Sequence, residues 1–276
     1  MSENSLYRLY FFFGILFVMM SWEWLFPKRP LTVGRSRWAG NLGMTMINAL
    51  IARYAVPFVP AAAAYLAVQR GWGLFNQISV PGWAAFILGV IILDMIIYLQ
   101  HAMFHAMPLL WRVHMMHHVD RDIDVTTGLR FHPLEIVISL AIKLCAVVLI
   151  GVPPSGVIAF EIILNGMAMF NHGNVRMPAI ADRFIRMVFV TPDMHRVHHS
   201  VAINETNSNF GFNLSLWDYL FGTYKAQPSS GHEKMAIGVS HLRELKWQNL
   251  LWMLALPFTA ETGPYPLGRH GRKTGQ

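Results

Sequence analysis

Residues 101–118 read HAMFHAMPLLWRVHMMHH, five histidines in eighteen residues. The pattern is His-x3-His at His101 and His105, then His-x2-His-His at His114, His117 and His118. The second pattern recurs at His195, His198 and His199. On an α-helix, residues three and four apart share a face. Each group therefore predicts a helix that presents its imidazoles on one side. Neutral imidazole suits Fe, Zn, Cu and Ni. A zinc site uses only three or four protein ligands, so eight histidines imply two metals. A lone histidine is usually a capped or surface residue, but two identical boxes and a third pair leave that reading little room.

Working outward, the composition sets the class. The 276 residues are 54% apolar and 13% charged, against roughly one quarter charged in soluble proteins. Mean hydropathy is +0.38. This predicts an all-α integral membrane protein. The net charge of +7 does not point to nucleic acid, because the basic residues lie in loops between apolar runs. The single cysteine, Cys145, lies in an apolar run and forms no internal disulfide.

The apolar runs cover residues 7–26, 44–68, 80–100, 134–152 and 157–170. The first is long enough to span and lacks a small-residue cleavage site, so it reads as a retained span. The last is short and follows Pro153 and Pro154, so 134–170 reads as two spans or a re-entrant hairpin. The expectation is four to five transmembrane or re-entrant helices with a helical cap. Residues 171–249 read as a water-facing lobe, 250–258 as an interfacial segment and 261–276 as a disordered tail. Together 1–260 form one domain. If the spans alternate, Lys28, Arg29, Arg35, Arg37, Arg112, Arg121 and Arg130 fall on one side. Arg176, Arg183, Arg186 and Lys225 join them, against Arg8 and Arg70 on the other. The positive-inside rule then places all three boxes at the cytoplasmic face.

Several neighbours are candidates beside the boxes. Asp94 is seven residues before His101, on the same helical face, and a carboxylate in an apolar span marks function. It is expected to accept the free ring N–H of a ligand histidine; the plainer alternative is an ion pair with Arg53. Pro108 suits the first position of the helix carrying the second box. Thr191 and Pro192 suit the start of the helix carrying the third. His132, before the fourth run, and His172, after the fifth, return to the same surface if those runs form a hairpin. Both join the candidate ligands. His232, His241 and His270 are expected to be solvated. Residues 205–224 read as a lid or an interfacial anchor.

All-nitrogen ligation adds no negative charge and keeps metals electrophilic and redox-active. Two irons so held suit O2 chemistry on an unactivated C–H bond, and the apolar body implies a lipid-like substrate. A metal transporter with His-rich loops is the alternative, although transporters hold ligands near mid-membrane. A b-type cytochrome needs histidines facing each other across spans. A zinc hydrolase needs a Glu base that neither His-x2-His-His box contains.

With these residues in hand, the chain resembles the fatty acid hydroxylase / sterol desaturase superfamily of membrane di-iron enzymes over about residues 85–225. The resemblance rests on the histidine boxes, on FHPLE at 131–135, NHG at 171–173, DMHRVHH at 193–199 and NSNFGFNLSLWDYLFGTY at 207–224. It implies a helical membrane fold with a cytoplasmic cap, a His-only dimetal site, and O2-dependent hydroxylation or desaturation of a lipid. It also implies electrons from a separate ferredoxin or cytochrome with its reductase. Ala102 stands where many relatives have Arg. Ala168 stands where some fatty-acyl hydroxylases carry a further histidine. The ligand set is therefore nine histidines, or ten with His132.

Overall fold

The computed structural model describes residues 3–54 and 60–267. Helices α1 (Glu3–Leu25), α2 (Trp38–Tyr54), α3 (Pro60–Arg70) and the single turn α4 (Leu74–Gln77) lead to α5 (Gly82–Ala106) and α6 (Pro108–His118). After a buried loop come α7 (Pro133–Ile150) and α8 (Pro154–Asn171). The remainder is built of short pieces: α9 (Ala179–Ile185), α10 (Pro192–His198), α11 (Ile203–Thr206), α12 (Leu216–Leu220) and α13 (Gly231–Lys234), then α14 (Leu250–Thr259). Among the described residues β-structure is limited to isolated bridges.

Among the described residues two helices are long and apolar enough to cross a membrane, α5 with 25 residues and α7 with 18. Helices α3 and α5 both pack against α7 and α8, and α1 lies on α8. Helices α3, α5, α7 and α8 share a core that includes Ala64, Leu93, Ile97, Ala146, Val147, Val157 and Phe160. Helix α7 ends at Gly151, whose φ of 77° is left-handed and easy for glycine. A Cβ there would also meet Asn76 Nδ2 at 2.8 Å.

The corner between α5 and α6 creates the site. Met107 precedes Pro108, and a residue before proline is pushed out of the helical region. Met107 is extended, with φ −95° and ψ 120°, so the chain turns and α6 folds back along α5. Trp111, Met115 and Met116 of α6 then enter a second core with Met44, Met253 and Leu256.

The structure departs from the sequence expectations in several places. The run 44–68 is two helices, α2 and α3; Pro57 lies outside the described residues. The run 157–170 is part of an 18-residue helix, as long as α7, because Pro154 starts it early. Asp120, Asp122 and Asp124, in the loop after α6, are buried. They surround the buried Arg37, with Arg37 Nη1 2.6 Å from Asp120 and a further ion pair to Asp124. The lobe at 171–249 exposes large apolar side chains, among them Phe184, Met187, Val188 and Leu220. Residues 261–267, expected in the disordered tail, are packed: Tyr265 is fully buried and stacks on Trp111. Its hydroxyl donates to Val201 O (2.8 Å) and accepts from Ser240 N (2.8 Å). Residues 268–276 lie outside the described residues.

Candidate metal centre

Nine of the ten candidate histidines converge. One group holds His101, His105, His114, His118 and His198; the other holds His117, His172, His195 and His199. Within each group one ring nitrogen per histidine lies within 4.8 Å of all the others, and every member is buried. Metal–nitrogen bonds of ~2.1 Å keep the ligands of one ion within roughly 4.2 Å of each other. The groups therefore need little tightening around an ion. They touch through His118 and His199, whose rings stack at 4.6 Å.

The helices explain the positions. His101 and His105 sit at the C-terminal end of α5, and α6 brings His114, His117 and His118 opposite. Helix α10 starts as its sequence predicts: Thr191 Oγ1 accepts from Met194 N, with Pro192 in the first turn. His172 caps the C-terminus of α8.

Hydrogen bonds fix which nitrogen faces inward. Nδ1 of His101 donates to Phe210 O (2.9 Å), His117 to Arg130 O (3.0 Å), His172 to Ala168 O (2.6 Å) and His198 to Ser208 O (2.8 Å). Nδ1 of His114 meets Glu135 Oε1 at 2.7 Å, and that of His105 meets Asn207 Oδ1 at 3.1 Å. A carbonyl only accepts, so the proton resides on Nδ1 and the Nε2 lone pair is bare. Bare Nε2 atoms then face each other, His117 to His172 at 3.1 Å and His101 to His114 at 3.2 Å. Nε2 of His105 and of His198 has no partner among the described residues. Facing lone pairs and orphaned buried nitrogens are costly without a cation between them. The arrangement fits metal ions held by imidazole.

Electrostatics agree. Burial, followed by neighbouring imidazoles, pushes His117, His118, His195 and His199 well below their usual value. Burial also lowers His198 to about 3. These rings are neutral at physiological pH, the state that binds metal.

The tenth candidate is corrected. His132 caps α7: its Nδ1 accepts from Leu134 N at 3.1 Å, and its Nε2 meets Leu254 O at 3.2 Å. Both nitrogens are used, because Pro133 starts a helix there whose free N–H groups need an acceptor. Asp94 is also corrected. It reaches neither a histidine nor Arg53, and accepts from Asn213 N (3.3 Å), Leu214 N (3.1 Å) and Trp217 Nε1 (2.9 Å). It ties the segment 213–217 to α5 and acts on the site only through that segment. His232, expected to be solvated, is largely buried 3.8 Å from Asp193. His241 is exposed as expected, and His270 lies outside the described residues.

Sequence reasoning missed Glu135, Asn207 and the carbonyls of Arg130, Ser208 and Phe210. Glu135 had a signal: a carboxylate at the start of an apolar run, three residues after His132. The segment 205–224 is more than a lid, since three of its residues hold histidine rings directly.

A cavity of about 520 Å³ opens onto both groups, reaching His101 and His114 of one and His117, His172 and His195 of the other. It continues between α2, α5, α7 and α8.

Fold and site together define a helical protein with two adjacent, buried, all-imidazole clusters able to hold metal. The chain belongs to the fatty acid hydroxylase family, whose pattern it matches over residues 86–223. It is 33% identical over 143 residues to ornithine lipid hydroxylase OlsE of Rhizobium tropici, covering 51% of this chain and 42% of that protein. It is 28% identical over 179 residues to human alkylglycerol monooxygenase, covering 64% and 38%. It is 25% identical over 239 residues to the Delta(7)-sterol-C5(6)-desaturase of Nicotiana tabacum, covering 82% of each. The chain thus spans about two fifths of the length of the first two relatives. No solved structure matches it significantly. The family match does not favour the metal-transporter alternative.

Proposed function

We propose that the protein is a membrane-bound non-haem di-iron oxygenase that hydroxylates or desaturates a C–H bond of a lipid. The observation that carries this reading is the pair of neighbouring clusters whose bare Nε2 atoms face inward. Nine imidazoles in sets of five and four would hold two ions, and the ligand type admits iron. When bound, iron supplies the O2-dependent oxidation. Hydroxylation consumes the C–H bond, O2, two electrons and two protons, and yields an alcohol and water. Desaturation consumes two C–H bonds with the same O2, electrons and protons, and yields an alkene and two waters. The electrons come from an external ferredoxin or cytochrome with its reductase.

The chain's own residues do the rest. Backbone carbonyls, Glu135 and Asn207 hold six of the nine rings in one tautomer and orientation. The cavity admits an apolar molecule to both clusters, and the buried position of the histidines excludes bulk water. His101 lies near the C-terminal end of α5 and Glu135 near the N-terminal end of α7, so two antiparallel spans would bring both to one membrane face. The basic loops make that face cytoplasmic in a multi-pass arrangement. The relatives' names, a lipid hydroxylase, a monooxygenase and a sterol desaturase, support a lipid substrate.

The test is elemental analysis of anaerobically purified protein, joined to lipidomics of cells with and without the gene under isotopically heavy oxygen. Two irons per chain and a gene-dependent lipid that gains heavy oxygen, or loses two hydrogens, are expected. One ion or fewer per chain, or an unchanged lipid profile, would overturn the reading.

A further inference from the structure

Helix α7 is apolar except for one face. Glu135, Ser139 and Lys143 are four residues apart, so they stack along one side with ~6 Å between rungs. All three line the cavity that reaches the histidines. The first rung touches the metal centre through His114. The second accepts from Gln100 Nε2 of α5 at 3.0 Å. The third pairs with Glu161 of α8 at 3.1 Å. The polar strip thus runs ~12 Å from the histidines into the helical body. An acyl chain alone gives such a strip nothing to bond, and polar groups at membrane depth are costly and mark function.

Outside the histidine rings, the buried side-chain atoms along this cavity that lack any partner among the described residues are acceptors. Gln100 is 9% exposed and Glu135 is 5% exposed. Gln100 Oε1 and Glu135 Oε2 have no hydrogen-bond partner among the described residues, nor does Asn48 Oδ1 at the same cavity. They call for a ligand that donates. A carboxylate or phosphate brings only acceptors and would meet the Glu135 charge. The Lys143 charge is already matched by Glu161, so a net-neutral donor fits best.

We infer that the cavity takes an amphiphile with a hydroxyl-bearing head, and that this head lies along Glu135, Ser139 and Lys143 against the histidine clusters. The hydrocarbon chain leaves past Ala49 and Ala52, which line the cavity and are exposed. The carbon presented to the clusters is then close to the polar head and not a remote methylene. This deepens the proposed function by naming the substrate's head chemistry and orientation, and it rests on that reading for the cavity's role.

The test uses full-length protein in nanodiscs doped with equal mole fractions of monoolein, oleylamine, oleic acid and 1-octadecene. Lipid retained on the repurified protein is measured by mass spectrometry. Monoolein should be retained roughly tenfold over octadecene, as two neutral hydrogen bonds imply, and over oleic acid and oleylamine. The double variant Gln100→Leu/Ser139→Ala should reduce monoolein to the octadecene level with bound metal unchanged. Ser139→Ala alone, which barely alters packing, should shift the ratio in the same direction by a smaller factor. Equal retention of octadecene, preference for oleic acid or oleylamine, or a monoolein preference that survives both variants would overturn the inference. Metal content on the same samples separates the two claims: fewer than two ions per chain ends the di-iron reading whatever lipid is retained.

Discussion

Glu135 is the sharpest place to test how the centre is held. Its Oε1 accepts from Nδ1 of His114 at 2.7 Å, while Nε2 of His114 faces both His101 and His118 at 3.2 Å. The carboxylate therefore orients a ring near the middle of the five-histidine cluster. Residues in such positions are worth about 10- to 100-fold in metal affinity. Glu135→Gln keeps an acceptor near Nδ1 and removes the charge, so it should sit at the lower end, about tenfold or ~1.4 kcal/mol. Glu135→Leu also leaves the buried Nδ1–H unpaired and the ring free to turn, so it should approach 100-fold, or ~2.7 kcal/mol. The assay is competition with a chelator for Co(II) added to metal-stripped protein, followed by visible absorption. The chelator midpoint should fall by that factor relative to the wild type, with both ions affected because α6 carries donors of both clusters. If Glu135→Leu binds both ions within about twofold of the wild type, the argument for Glu135 fails.

His117→Ala, in the four-histidine cluster, should lower bound metal to one ion per chain or fewer. His198→Ala should weaken binding in the other cluster. Full iron retention by elemental analysis would remove either residue from the ligand list. Asp94→Asn should leave metal content intact but cost ~2 kcal/mol of stability, since one carboxylate oxygen that accepts from Leu214 N and Trp217 Nε1 is replaced. A variant that loses metal at unchanged Tm would contradict this. In metal-stripped protein the folded state keeps His198 neutral down to about pH 3, whereas the unfolded chain takes up a proton near pH 6.5. The unfolded state binds more protons as pH falls, so stability present above pH 6.5 is lost below it, at ~1.4 kcal/mol per pH unit for each such imidazole. A Tm that does not change between pH 7 and pH 5 would refute that.

Much of the centre was legible because histidine spacing is a local property of helices. The eight box histidines and the Pro108 and Thr191–Pro192 helix starts follow from short-range rules, whereas His172 could be suggested only from its place after an apolar run. The division between clusters does not. The sequence puts His114, His117 and His118 on one face, yet His114 and His118 serve one cluster and His117 the other. Likewise His195 and His199 part from His198. Residues four apart differ by only ~40° around a helix, whereas adjacent residues differ by ~100°, so the third histidine looks elsewhere. Asp94 failed for a related reason. It shares a face with His101, but seven residues of helix put ~10 Å between them, and a segment more than a hundred residues away reaches it first. Glu135 and Asn207 needed tertiary structure, since nothing near either in sequence shows which ring it meets. His132 was ambiguous because a helix N-terminus and a metal ask the same thing of an imidazole, a lone pair.

Because α6 and α10 each send donors to both clusters, occupancy of one cluster would favour occupancy of the other. An occupant on one side freezes a helix whose remaining imidazole belongs to its neighbour, lowering the entropy that the second occupant must remove. Under the proposed assignment, loading becomes cooperative: chains with a single ion are scarce, and partial chelation yields a mixture of full and empty molecules. Iron supply would then set how many copies work, not how well each one does.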